Sequence, residues 1–121
     1  MEVVSEFLRL RRDGKGEQAA GMLAENASVR CPWSRILSGD AARKLICDET
    51  SFVKRDYLDH TEKIEQIDAN TFQRVYKFEI RDCERVTSPR YRETYFVSDG
   101  KIRLVTCHKQ PARSFWKFWG I

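Results

Sequence analysis

Apolar side chains recur along the first segment at Val3, Val4, Phe7, Leu8 and Leu10 with charges between them, which is helical spacing with one stripe for a core. The run DGKG (13–16) breaks that helix. EQAAGMLAEN then starts a shorter one, with Ala19, Ala20, Met22 and Leu23 as its apolar face and Asn26 as its stop. ASVRCPW reads as a short extended piece, because Pro32 bars Cys31 from the helical region. Ser38 is placed to cap a third helix, with Asp40 in its first turn and Ala42, Leu45 and Ile46 toward the core.

From Tyr57 onward the period changes. YLDHTEKIEQID, TFQRVYKFEIRD, RYRETYFVSD and KIRLVTCHKQ are four strand-like segments, separated by turn signals at DAN, ERVTSP and DG. On the second, Phe72, Arg74, Tyr76, Phe78 and Ile80 share one face. Asp99-Gly100 predicts a two-residue hairpin loop, since both of its residues tolerate positive φ. Continuous pairing from that turn sets Val97 opposite Ile102, Tyr95 opposite Leu104, Glu93 opposite Thr106 and Tyr91 opposite His108, all on one face. That face is apolar near the turn and polar away from it, as one wall of a pocket would be. Helices first and a meander of long antiparallel strands afterwards predict an α+β fold with the helices covering one side of a curved sheet.

With 121 residues, 41% of them hydrophobic, the chain suits one domain with a single core. Residues 1–110 form that domain and 111–121 a C-terminal tail rich in aromatic residues. The tail carries Phe115, Trp116, Phe118, Trp119 and Ile121, a density that favours packing on its own sheet or across a dimer over a lid or a membrane anchor. No apolar run approaches the ~18 residues that a membrane span needs, and the N-terminus lacks a secretory pattern, so the cytoplasm is the expected location. Cys31, Cys47, Cys83 and Cys107 are widely spaced, which predicts free thiols rather than a metal or redox motif. The net charge of +4 arises from 22 basic residues scattered among 18 acidic ones. Only RLRR (Arg9, Arg11, Arg12) clusters, and it reads as a solvated helix face. Neither nucleic acid nor a membrane is an expected partner. No cofactor is called for: there is no phosphate-binding loop, dinucleotide fingerprint or nucleophile elbow, and no metal-ligand spacing.

The order of helix, helix, short strand, helix and four long strands resembles the NTF2-like superfamily, and within it the SnoaL-like small proteins. GEQAAGMLAENASVRCPW is similar to the family's second helix and first strand, LSGDAARKLI to the segment that follows, and TYFVSDGKIRLVTCHK to the closing hairpin. The resemblance implies a cone-shaped α+β barrel, with a strongly curved antiparallel sheet wrapped around a long helix and a pocket at its open end. It also implies a homodimer paired through the outer sheet face, here around Val75, Phe96, Val105 and Cys107. The family's last strand often sends a polar residue into the cavity, which here is His108.

The candidate site follows from strand parity. Glu93, Tyr91 and His108 continue the pocket wall as candidates for acid–base chemistry, because imidazole titrates near neutral pH and a carboxylate beside it favours its charged form. Arg74, Tyr76 and Tyr95 share the inward face, His60 shares parity with Leu58 and Ile64, and Trp33 lies after the Pro32 turn; these five would line or orient a small hydrophobic molecule. Three readings stand: an isomerase, dehydratase or cyclase type of catalyst; a non-catalytic ligand-binding or assembly module that dimerises through the sheet; or a structural group of polar residues. On the outer face Phe96 would serve a nucleic-acid reading as a stacking platform.

Overall fold

The Asp99-Gly100 turn forms as the residue pair dictates, with φ of 55° and 73°, and Ser98 pairs with Lys101 and Val97 with Ile102. Immediately beyond, a β-bulge at Arg103 shifts the ladder by one residue, so that Phe96 pairs with Leu104, Tyr95 with Val105, Glu93 with Cys107 and Arg92 with His108. Because side chains alternate with a period of two, that shift exchanges the two faces of the last strand. Val105 and Cys107 are buried and Leu104 is exposed, which corrects the continuous register. It also takes Val105 and Cys107 off the outer face on which a dimer contact was expected.

The structure, a computed structural model, describes residues 2–30, 36–82, 85–87 and 90–109; for 51–63, 77–82 and 85–87 the description covers the backbone alone. Its elements are α1 (Glu2–Arg12), α2 (Gly16–Ala20), β1 (Leu23–Arg30), β2 (Leu37–Ser38), α3 (Asp40–Asp56), β3 (Tyr57–Gln66), β4 (Thr71–Asp82), β5 (Arg85–Thr87), β6 (Arg90–Ser98) and β7 (Lys101–Lys109). The strands make one sheet in the order β2-β1-β7-β6-β4-β3, with β5 paired on β4. All pairs are antiparallel except β1 with β7, which run parallel. The sheet is therefore mixed, and the helices lie on one of its faces in an α+β cone. The tail 111–121 lies outside the described residues.

Two local expectations give way to tertiary pairing. The second helix stops at Ala20, and Leu23 begins a strand instead of continuing the helix. The backbone there is claimed by β7, with Ile102 N–H donating to the Met22 carbonyl at 3.0 Å. Ser38 is not a helix cap: it lies on β2, and its hydroxyl meets that of Ser28 at 3.0 Å. Helix α3 begins at Asp40 after Gly39, whose φ is 61°.

The core lies between the helices and the concave face. Val4, Phe7 and Leu8 of α1 and Ala42 and Ile46 of α3 pack against Val29, Phe72, Tyr95, Ile102 and Val105. Phe7 meets the Tyr95 ring edge to face, with centroids 6.0 Å apart. Gly16 of α2 lies tight against Cys47 of α3. A β-carbon there would sit 2.7 Å from the Cys47 carbonyl oxygen, so Gly16→Ala must push the helices apart. The expected loss is about 1–3 kcal/mol, read as a lower urea midpoint; an unchanged midpoint would show that the two helices separate freely.

Candidate functional site

Alternation along β4 sends Phe72, Arg74 and Tyr76 to the concave face, and alternation along β6 sends Tyr95, Glu93 and Tyr91 there. The pairing makes three cross-strand rungs: Phe72 with Tyr95, Arg74 with Glu93, and Tyr76 with Tyr91. Arg74 is 2% exposed and Glu93 4%. Charges so placed persist only if they satisfy one another. Arg74 Nε donates to Glu93 Oε1 at 3.0 Å and to the Tyr95 hydroxyl at 2.8 Å. Arg74 Nη2 lies 3.0 Å from the same carboxylate oxygen, and the Tyr95 hydroxyl donates to it as well. The Arg74 guanidinium also sits 3.9 Å from the centroid of the Tyr76 ring.

Two further charged residues close over this group from the helices. Arg11 of α1 brings Nη1 to 3.6 Å from Glu93 Oε1 and Nη2 to 3.6 Å from Glu49 Oε1 of α3. Burial works against the charge on Arg11, but the Glu93 and Glu49 carboxylates outweigh it and its pKa lies above the ordinary value. Arg11 is thus a core residue, and the RLRR run is not a uniformly solvated face. The signal was present in the spacing: Val4, Phe7, Leu8 and Arg11 fall on one helical stripe, as Ile46, Glu49 and Thr50 do on α3.

At the other end of the rungs, Tyr76 and Tyr91 stack with centroids 5.6 Å apart, and the Tyr76 hydroxyl meets Cys107 Sγ at 3.3 Å. Burial, then the nearby Glu93 charge, raises the Tyr76 phenol well above the ordinary tyrosine range. The same two causes push the Cys107 thiol up to about 12. Both groups stay neutral at physiological pH.

Of the residues singled out in the sequence, the structure brings Glu93, Tyr91, Arg74, Tyr76 and Tyr95 together. His108 is not among them. The Arg103 bulge sets it opposite Arg92 on the exposed face, and Cys107 takes the inward position beside Glu93. Trp33 lies outside the described residues, as does the side chain of His60, whose backbone pairs with Lys77. Among the described residues, no three His, Cys, Asp or Glu side chains gather as a metal ion would require, and no helix is long and apolar enough to cross a membrane. A separate open depression of about 700 Å³ lies by the β6–β7 turn, lined in part by Leu23, Glu25, Arg43, Asp99 and Lys101. Its cations are engaged locally, Arg43 with Asp40 and the Ala24 and Glu25 carbonyls, and Lys101 with the Gly21 carbonyl.

No protein-family model matches the chain, and no curated protein matches it. Solved structures do. An NTF2-like protein of unknown function from Mesorhizobium loti superposes with a TM-score of 0.78 at 13% identity, over 91% of this chain and 89% of that one. The epoxide hydrolase/cyclase-like enzyme SalBIII, of pyran ring formation in the polyether salinomycin, gives 0.73 at 15% identity over 90% and 88%. A putative polyketide cyclase from Xanthomonas campestris pv. campestris gives 0.66 at 14% over 95% and 91%. The chain has the NTF2-like fold.

The raised thiol has a measurable consequence. Below the ordinary thiol range, folded and unfolded chains both hold the Cys107 proton and nothing is lost. Above it the unfolded chain ionises first, so stability falls as pH climbs toward the folded value. Tyr76 acts in the same direction at higher pH. The melting temperature should therefore decline from about pH 8.5 upward, and Cys107→Ser should flatten part of that decline. An identical slope in the variant would assign the alkaline loss to other groups.

Proposed function

We propose that this protein binds a small hydrophobic molecule on the concave face of its sheet and performs acid–base chemistry there, of the isomerase, dehydratase or cyclase type, with Glu93 as the proton-transfer group. One observation carries this reading. Among the described residues, every contact to the Glu93 carboxylate converges on Oε1. Arg74 and Tyr95 thereby anchor that oxygen, and Oε2 is the atom offered to a ligand. A carboxylate held so rigidly is oriented for proton transfer at a single atom. Tyr91, half-buried and stacked on Tyr76, supplies an aromatic wall. Trp33 and His60 would complete the lining. His108 has no part in it, since it faces outward.

Two of the proteins that share the fold support the reading, one described as an epoxide hydrolase/cyclase-like enzyme and the other as a putative polyketide cyclase. Fold alone does not assign activity, so the Glu93 geometry has to carry it. A thermal-shift screen of small hydrophobic ketones, lactones, epoxides and acids, with turnover assays on each hit, provides the test. Glu93→Gln keeps the shape and removes the exchangeable charge. Turnover should drop at least about a hundredfold while the hit still binds; turnover within a few-fold of the original would remove Glu93 from this role. Hits that bind and are never converted would leave a receptor.

A second reading, a non-catalytic module that dimerises through the sheet, is favoured by one feature of the outer face. Phe96 and Leu104 are directly paired across β6 and β7 and are 39% and 40% exposed. A second copy seated there would cover this apolar pair. Light scattering at micromolar concentration should give a dimer for the natural chain and a monomer for Phe96→Glu. A monomeric natural chain would refute this contact.

A further inference from the structure

Arg11 is 8% exposed, and its Nη1 is a buried nitrogen with no hydrogen-bond partner. Its nearest carboxylate oxygens, Oε1 of Glu93 and Oε1 of Glu49, stand 3.6 Å from Nη1 and Nη2 respectively. Those separations suit Coulomb attraction but exceed hydrogen-bond length. The Phe7 ring backs the guanidinium at 5.6 Å and offers no oxygen. A buried N–H without an acceptor carries the full cost of its lost hydration, so this donor is one that a bound molecule would satisfy. It lies beside the Glu93 carboxylate that the proposed chemistry uses.

The charge around it limits what that molecule can be. Arg11 and Arg74 face the carboxylates of Glu49 and Glu93. A ligand carboxylate placed there would face two carboxylates in a buried group where charge is poorly screened. A ketone, lactone or hydroxyl oxygen accepts from Nη1 without adding charge. We propose that Arg11 Nη1 seats a neutral oxygen of a hydrophobic ligand, so that the site selects uncharged molecules over organic acids; this rests on the reading of the concave face as a ligand site.

The experiment uses the full chain and three probes that share one bicyclic frame: 2-decalone, 2-decalol and decalin-2-carboxylate, titrated by calorimetry at neutral pH. The ketone and alcohol should bind, and the carboxylate at least about ten times more weakly, the factor expected for one unfavourable charge contact. Arg11→Lys keeps the charge but loses the planar fork, and should weaken the ketone about tenfold. Glu49→Gln removes one negative charge from the group and should tighten the carboxylate by a similar factor. Equal or tighter carboxylate binding by the natural chain overturns the proposal. So does unchanged ketone binding by folded Arg11→Lys, which would mean that Nη1 holds only water. If Arg11→Lys fails to fold, Glu49→Gln decides: an unchanged carboxylate affinity overturns the charge argument. Failure of all three probes to bind at millimolar concentration defeats the ligand-site reading itself, whereas binding with the wrong preference defeats this inference alone.

Discussion

Everything on the concave side depends on the pairing of Arg74 with Glu93. A guanidinium and a carboxylate under a sheet are each costly in isolation, by several kcal/mol per ion, and each is tolerated because the other stands directly across the ladder. Tyr95 then has to point its hydroxyl at the pair, and Phe7 of α1 packs on the Tyr95 ring. One polar contact thus fixes the position of two strands and a helix. An apolar pair of equal volume would pack as well and would anchor no carboxylate oxygen. On that difference the proposed chemistry rests.

Much of this was legible in the chain. Period-two alternation on β4 and β6 identified Arg74, Tyr76, Glu93 and Tyr95 as inward, and Asp99-Gly100 located the turn, because these are local properties of a few residues. The Arg103 bulge was not legible. Ile102 and Val105 are both inward although three positions apart, and strict alternation cannot represent that, so His108 and Cys107 exchanged places. Arg11 was missed for another reason. Charge clustering suggested solvent, while helical spacing placed it on the same stripe as Phe7, and the stripe prevailed because Glu93 and Glu49 lie beneath it. The early start of β1 belongs to a third kind, since it depends on a partner at the far end of the chain.

The proteins that share this fold do so at low identity, so the scaffold outlasts most of the side chains that cover it. A curved sheet under helices provides a concave face, and the residues on its rungs set the chemistry of that face. In this chain those rungs are an aromatic pair, an ion pair and a tyrosine pair, in that order away from the turn. The polarity of this face is therefore concentrated in its middle rung, between two aromatic ones.

The parallel pairing of β1 with β7 has a consequence for how the chain reaches this state. The other long strands find their neighbours close by in the sequence, whereas β1, paired on one edge with the short β2, must wait for the last strand to exist before its other edge can join the sheet. During synthesis the N-terminal helices and β1 emerge first and have no sheet to cover. Contacts of such large sequence separation slow folding and expose apolar surface in the interval. Val4, Phe7 and Leu8 are then left without their sheet until the final hairpin closes, so the hairpin with the strongest local turn signal is also the one that completes the core.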